Sequence, residues 1–484
     1  MKKGSITIYM SMLLAVLLSL FLTVIEGAKS RAVSLRADCA FDLSVYSVFA
    51  EYNRQLYEEY GLFFIDTAYG EATASLERVN RHLGYYMQQN LKQDGTGWKQ
   101  FDFTKCILEQ TEITGGSYAT DDRGGVFERQ AVEYMKHKYG AAYIEKIKRE
   151  FETAQEKELF TRDFSAEREE NHGKIEKAER EGIETGESDE NGEPIRREVE
   201  IENPADTVNG TRNKGILILV TDREDVISSQ SVDLAETVSY ENPKKKGYGK
   251  DDRNKVSLAE RLWFDAYILE KCGTYREPKK NGQLQYQAEY ILAGKESDTE
   301  NLKAVVHRLL VFREVSNCIY LLSDPAKVSE ALALATSICS AAGAMVLVEP
   351  VKYTLLFAWA YAEAIYDVRQ LLAGGEILLI KNGATWHYSL SGMLSAETEK
   401  IAKDQVSAID GGLSYEEYLR LFLAAENRDR KVYRMMDVAQ MDVRKNSGYR
   451  EFHLSNCVDF LVMEAIVGSR YGYYKELKRS YSYI

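Results

Sequence analysis

Residues 6–25, ITIYMSMLLAVLLSLFLTVI, form an uncharged run that begins at Ile6 and ends at Ile25. As a helix rising about 1.5 Å per residue, 20 residues span roughly 30 Å, the thickness of a bilayer core. A cleaved secretory signal has a shorter apolar stretch followed by small residues. Here the run is longer, and Glu26 stands just before Gly27 and Ala28. A retained membrane anchor over 1–25 is therefore expected. Ser11, Ala15 and Ser19 fall four apart within it, a small-residue stripe that would let a partner helix approach closely in lipid. Beyond the run no Pro intervenes, and Val45, Phe49, Tyr52, Leu56 and Tyr60 recur at helical spacing up to a plausible stop at Gly61. The pattern predicts one helix passing from the anchor through 26–61.

The rest of the chain reads as a soluble head, with a first part over 62–166 and the remainder over 215–484. Turn signals stand at 94–97 and at Gly115 and Gly116, and 126–164 reads as helical. Between 167 and 214 large apolar residues almost vanish; residues 145–202 hold 20 acidic and 11 basic side chains. That composition predicts a disordered acidic insert over 167–214. GILILV at 215–220 reads as a short buried strand, and Leu284, Tyr286, Ala288 and Tyr290 alternate with polar residues as a second. Ser257 with Glu260, Ser297 with Glu300, and Ser414 with Glu417 predict three capped helix starts; Asp324 before Pro325 predicts a fourth. The uncharged stretch 331–348 is short and Ala-rich, so 325–373 is expected to be a buried soluble helical hairpin. Two helices are expected over 415–445. A closing strand pair is expected around Gly468 and Gly472, with Val458, Phe460, Val462, Tyr481 and Tyr483 marking the alternation. The expected class is α+β: a long N-terminal helix, a helical middle and a small, mostly antiparallel sheet.

Composition narrows the function. A formal net charge of −13 argues against nucleic acid as a partner. No Gly-x-Ser-x-Gly, Walker loop or His-Glu-x-x-His occurs, the six His are scattered, and the six Cys include no Cys-x-x-Cys. The expected reading has no catalytic, cofactor-binding or metal-binding residues and no cofactor. Two near-motifs fall short. The acidic run from Glu187 to Glu198 departs from a calcium loop at its first ligand and at Pro194. Asp42, Ser44 and Ser47 lack the spacing of a metal-adhesion site.

Lys3-Gly4-Ser5-Ile6-Thr7-Ile8, the apolar run and the polar helix after it resemble the TadE/TadG-like proteins of the Flp, or tight-adherence, pilus system. Residues 42–47, residues 59–66, Tyr69-Gly70 and residues 285–295 resemble an uncharacterised domain-of-unknown-function family of Gram-positive bacteria encoded near such pilus genes. The resemblance implies a single-pass protein of the cell membrane with an extracellular head. Its partners would be membrane lipid and other pilus-assembly or envelope proteins. Where a processed pilin carries Glu five residues after the Gly at its cut site, Gly4 here is followed by Tyr9. The expected role is thus an accessory or assembly component acting by protein–protein contact, not a major pilin. An anchored cell-envelope hydrolase is the alternative.

Overall fold

The computed structural model describes residues 3–71, 73–92, 104–188, 194–213, 215–221, 227–241, 257–395, 406, 408–445 and 449–483. In chain order the principal elements are α1 (Lys3–Phe49), α2 (Arg54–Tyr60), β1 (Ile65–Asp66), α3 (Leu76–Leu91), β2 (Cys106–Tyr118), α4 (Asp121–Lys138), α5 (Ala141–Glu156), α6 (Ser165–Glu181), β3 (Ile183–Ser188), β4 (Pro194–Arg197), α7 (Pro204–Gly210), α8 (Ile216–Val220), α9 (Val238–Glu241), α10 (Leu258–Lys271), α11 (Gln287–Ala293), α12 (Asp298–Ser323), α13 (Pro325–Ala341), α14 (Val348–Ala373), α15 (Tyr415–Ala425), α16 (Arg428–Lys445), β5 (Cys457–Ser469) and β6 (Tyr474–Ser482). The class is α+β. Two compact units are formed, one from residues 1–134, 235–255 and 439–484, the other from 135–234 and 256–438. This interleaved division differs from the expected head boundaries, because the last strands return to the first helix.

In the first unit β5 is the central strand. Along one edge β2 pairs with it antiparallel, from Cys106 opposite Ser469 to Tyr118 opposite Val458. Along the other edge run β6, from Gly468 opposite Tyr474 to Phe460 opposite Ser482, and the two-residue β1. One face of the sheet covers the second half of α1. Val33, Ala37, Ala40, Phe41, Val45, Val48 and Phe49 are buried at three- and four-residue spacing. From Ala37 onward they meet Leu461, Met463, Ala465 and Val467 of β5, with Val79, Leu83 and Met87 of α3 closing the same core. The closing strands lie where the sequence pattern puts them, but Phe460 and Val462 occupy the half-buried side. A register shift near Ser117 and Tyr118 moves the inward positions to the odd-numbered residues. The helix expected to continue to Tyr60 breaks after Phe49. Asn53 caps α2 by accepting from the Leu56 N–H, and Gly61 ends it at φ 71°.

The second unit is helical around α14, most of which is buried. Its helix starts follow the capping chemistry: Ser257 with Glu260 and Ser414 with Glu417 form reciprocal boxes, Ser297 accepts from the Glu300 N–H, and Asp324 caps α13 ahead of Pro325. The pair α13–α14 is the expected hairpin, with Ala331, Ala335 and Cys339 buried.

Three local expectations are corrected. The 215–220 run is the short helix α8, with Leu217, Leu219 and Val220 buried; so brief an apolar run carries no period that separates strand from helix. The alternation over 284–290 is largely the helix α11, closed by Gly294 at φ 67°. Gln287 and Glu289, read as outward positions, are buried and hydrogen-bonded. The 167–214 segment is not a disordered insert across its described residues. It holds α6, the β3–β4 hairpin and α7, and buries Ile175, Val199, Ile201, Ala205 and Val208. Arg168 and Arg212 reach Glu314 of α12. A few well-placed apolar residues and these ion pairs anchor a stretch whose average composition is that of a solvated linker. The turn expected at 94–97 lies outside the described residues, as does the centre of the calcium-like loop.

Candidate functional site

The first half of α1 is the most unusual surface of the molecule. Among the described residues it is the one helix long and apolar enough to cross a membrane, and its apolar window has no buried residue. Ile6 is 64% exposed, and Ile25, at the end of the run, is half-buried. Backbone groups inside such a helix satisfy one another, which a bilayer core requires. The hydroxyls do likewise: Ser11 donates to the Ile8 carbonyl and Thr23 to the Ser19 carbonyl, each at 2.8 Å. Ser11, Ala15 and Ser19 share one exposed face. Leu14, Leu17, Leu18, Leu20, Phe21 and Val24 line a shallow apolar groove centred on another face. At 3.6 residues per turn the two faces are roughly 140° apart. One face is thus lined by small side chains and the other by bulky apolar ones.

The second half of α1 is fixed to its sheet by polar straps as well as by the core. Arg479 of β6 bonds Asp42 at 2.7 Å and Asp38 at 3.1 Å, and both carboxylates raise its already high pKa. Arg36 donates to Thr104 and to the Leu91 carbonyl. Ser44 donates to the Ala40 carbonyl and Ser47 to that of Leu43. Asp42, Ser44 and Ser47, the adhesion-site near-motif, are therefore engaged in holding this helix. At the break after α1, Glu51 gathers the Tyr69 and Tyr86 hydroxyls, each at 2.7 Å, and His82 Nδ1 at 2.9 Å. The hydrogen bond to Glu51 pushes Tyr86 up to about 12. Burial, then Glu51, raises Tyr69 as well. These phenols stay protonated and act as donors that pin the end of the helix.

The second unit holds a closed ionic centre. Lys381 pairs with Glu363 and, at 2.6 Å, with Asp367; Arg313 bonds the other Asp367 oxygen at 2.9 Å. Glu363 also accepts the His387 and Tyr388 backbone N–H groups. Burial pushes the Glu363 carboxyl up. Asp367 is held below its ordinary value, because Lys381 and Arg313 outweigh its burial. Arg313, Glu363 and Asp367 have no solvent exposure and Lys381 almost none, so the group is closed to solvent and ties α12 to α14. Glu289 is another buried acid of this unit. One of its oxygens accepts from the Tyr275 N–H at 2.7 Å and the Tyr415 hydroxyl at 2.8 Å, and burial pushes it up to about 7. The sequence signal for this centre is the i, i+4 spacing of Glu363 and Asp367 on a largely apolar helix.

Among the described residues no group of three His, Cys, Asp or Glu is placed to hold a metal. Cys272, Cys318, Cys339 and Cys457 are buried, Cys39 is exposed and Cys106 half-buried. The chain belongs to a family of unknown function, DUF5702, whose model matches residues 195–469. No curated protein and no solved structure matches it.

Proposed function

We propose that this DUF5702 protein is a single-pass protein of the cell membrane, with its head extracellular, that acts by protein–protein contact. The role we assign is an accessory or assembly component of a Tad/Flp-type pilus or secretion system. The observation that carries the reading is α1 itself: one unbroken helix, apolar and bare over its first half, amphipathic and packed into a core over its second. A lipid-embedded half followed by an amphipathic half is how pilin-like subunits begin. Tyr9, where a processed pilin has Glu, favours an assembly role over a place in the filament shaft, since that carboxylate would need a partner in lipid.

The stripe Ser11, Ala15 and Ser19 is where a partner helix would pack, because association in lipid depends on close approach and not on hydrophobicity. Replacing Ala15 and Ser19 together with Leu keeps the run apolar and fills the stripe. Crosslinking of the full-length double variant to other envelope proteins in intact cells is expected to fall several-fold, with membrane insertion unchanged. Undiminished crosslinking would make the anchor a tether and move the contact surface to the head.

A further inference from the structure

The turn joining β5 to β6 lies against the end of the apolar run. Tyr473 donates to the Glu26 carboxylate, and the Lys29 ammonium sits 4.7 Å from the centre of the Tyr471 ring. Lys105, just before β2, lies 5.5 Å from the same ring. The turn is rigid. Gly472, at φ 85°, donates to the Ser469 carbonyl; the Ser469 N–H donates to Tyr473 O at 2.8 Å and its hydroxyl to Thr104 O at 2.5 Å; the Arg470 N–H reaches Lys105 O. Around it Tyr471 is 38% exposed and Tyr474 71%, with Ile107 also exposed across from Gly468. Among the described residues of the turn and the segments it touches, the cations include Lys29, Lys105, Arg470 and Lys475, and the acids Glu26, Glu109 and Glu476. Glu26 is taken up by Tyr473 and lies 3.7 Å from Lys29.

Depth follows from helix geometry. Residues 26–29 lie within about 6 Å of Ile25 along the axis, and the headgroup layer is about 5–8 Å thick on each side of a bilayer. Whatever touches Glu26 and Lys29 is therefore at headgroup level once the run is embedded. From this we infer that the β5–β6 turn, with Lys105 and Ile107, is a second membrane contact. It is a collar of tyrosines and basic side chains seated in the headgroups, with anionic phospholipid as its ligand. Tyr rings and Lys or Arg are the side chains that the interface favours, and each cation near an anionic surface is worth roughly fivefold in affinity. The collar would fix the rotation and height of the sheet above the bilayer, whichever side the head occupies.

The inference rests on the anchor reading, and the test separates the two. In full-length protein carrying Cys39→Ser and Cys106→Ser, which leaves the four buried cysteines, one environment-sensitive fluorophore is placed at Leu17→Cys or at Tyr474→Cys. The protein is reconstituted in phosphatidylcholine vesicles with or without phosphatidylglycerol, containing lipids spin-labelled at the headgroup or deep in the chain. The expected result is quenching of the 17 probe by deep labels and of the 474 probe by headgroup labels. Phosphatidylglycerol should strengthen the latter, and Lys105→Glu with Arg470→Glu should cut that gain several-fold. A 474 probe that stays in water and open to iodide, beside a quenched 17 probe, overturns the collar alone. An unquenched 17 probe overturns the anchor and the collar with it.

Discussion

Replacing Lys381 with Met is expected to cost the second unit about 3–5 kcal/mol, because it leaves Glu363 and Asp367 buried with their shared cation gone. Met keeps most of the length and apolar stem of Lys, so the loss is chiefly electrostatic and not a cavity. Arg313 still holds one Asp367 oxygen, but Glu363 keeps only its two backbone donors. The variant should recover part of the loss as pH falls, since burial already pushes Glu363 up and a protonated carboxyl no longer needs Lys381. Urea unfolding of the detergent-solubilised protein, followed by tryptophan fluorescence, reads this directly, because Trp359 and Trp386 lie beside the cluster. A loss below about 1 kcal/mol at neutral pH would mean that the centre is not closed to water.

The second large effect concerns pH. Glu289 is pushed up to about 7 in the folded protein from an ordinary value of 4.5, chiefly by burial. Its folded pKa is raised, so between those values the folded state binds more protons than the unfolded one, and stability falls as pH rises. The loss should be on the order of 3 kcal/mol once pH is above about 7. Glu289→Gln keeps an acceptor for Tyr275 and Tyr415 and removes the charge. The variant should match the parent near pH 5 and be the more stable near pH 8, as read from urea midpoints at the two pH values. Asp298, also raised by burial, adds a slope of the same sign that both proteins share. Parallel curves would mean that Glu289 is solvated.

Local chemistry made much of this legible in the sequence. A helix cap is decided within four residues, so the starts at Ser257, Ser297, Asp324 and Ser414 could be read before any tertiary contact was known. The apolar run and the face from Val45 to Phe49 follow from helical period alone. What failed depended on distant partners. Residues 284–290 alternate like a strand, yet Gln287 and Glu289 are polar for hydrogen bonds inside the unit, not for water. The 167–214 segment is acidic on average, but composition does not see that Ile175 and Val208 find a surface to cover. The turn at Tyr471 to Tyr473 reaches Lys29 and Glu26 from the far end of the chain, a pairing no local pattern announces.

The central claim is that α1 anchors the protein through residues 6–25 while residues from Val33 onward build the head. Burial on α1 begins at Val33, so the apolar run adds nothing to the core. The direct measurement is an alkaline carbonate wash of membranes, with amino-terminal sequencing, on the full chain and on a chain lacking residues 6–25. The account predicts that the full chain stays in the pellet with its terminus before Ile6, and that the deleted chain is released and unfolds in urea at an unchanged midpoint. Release of the full chain, or a mature terminus at or beyond Lys29, would contradict it.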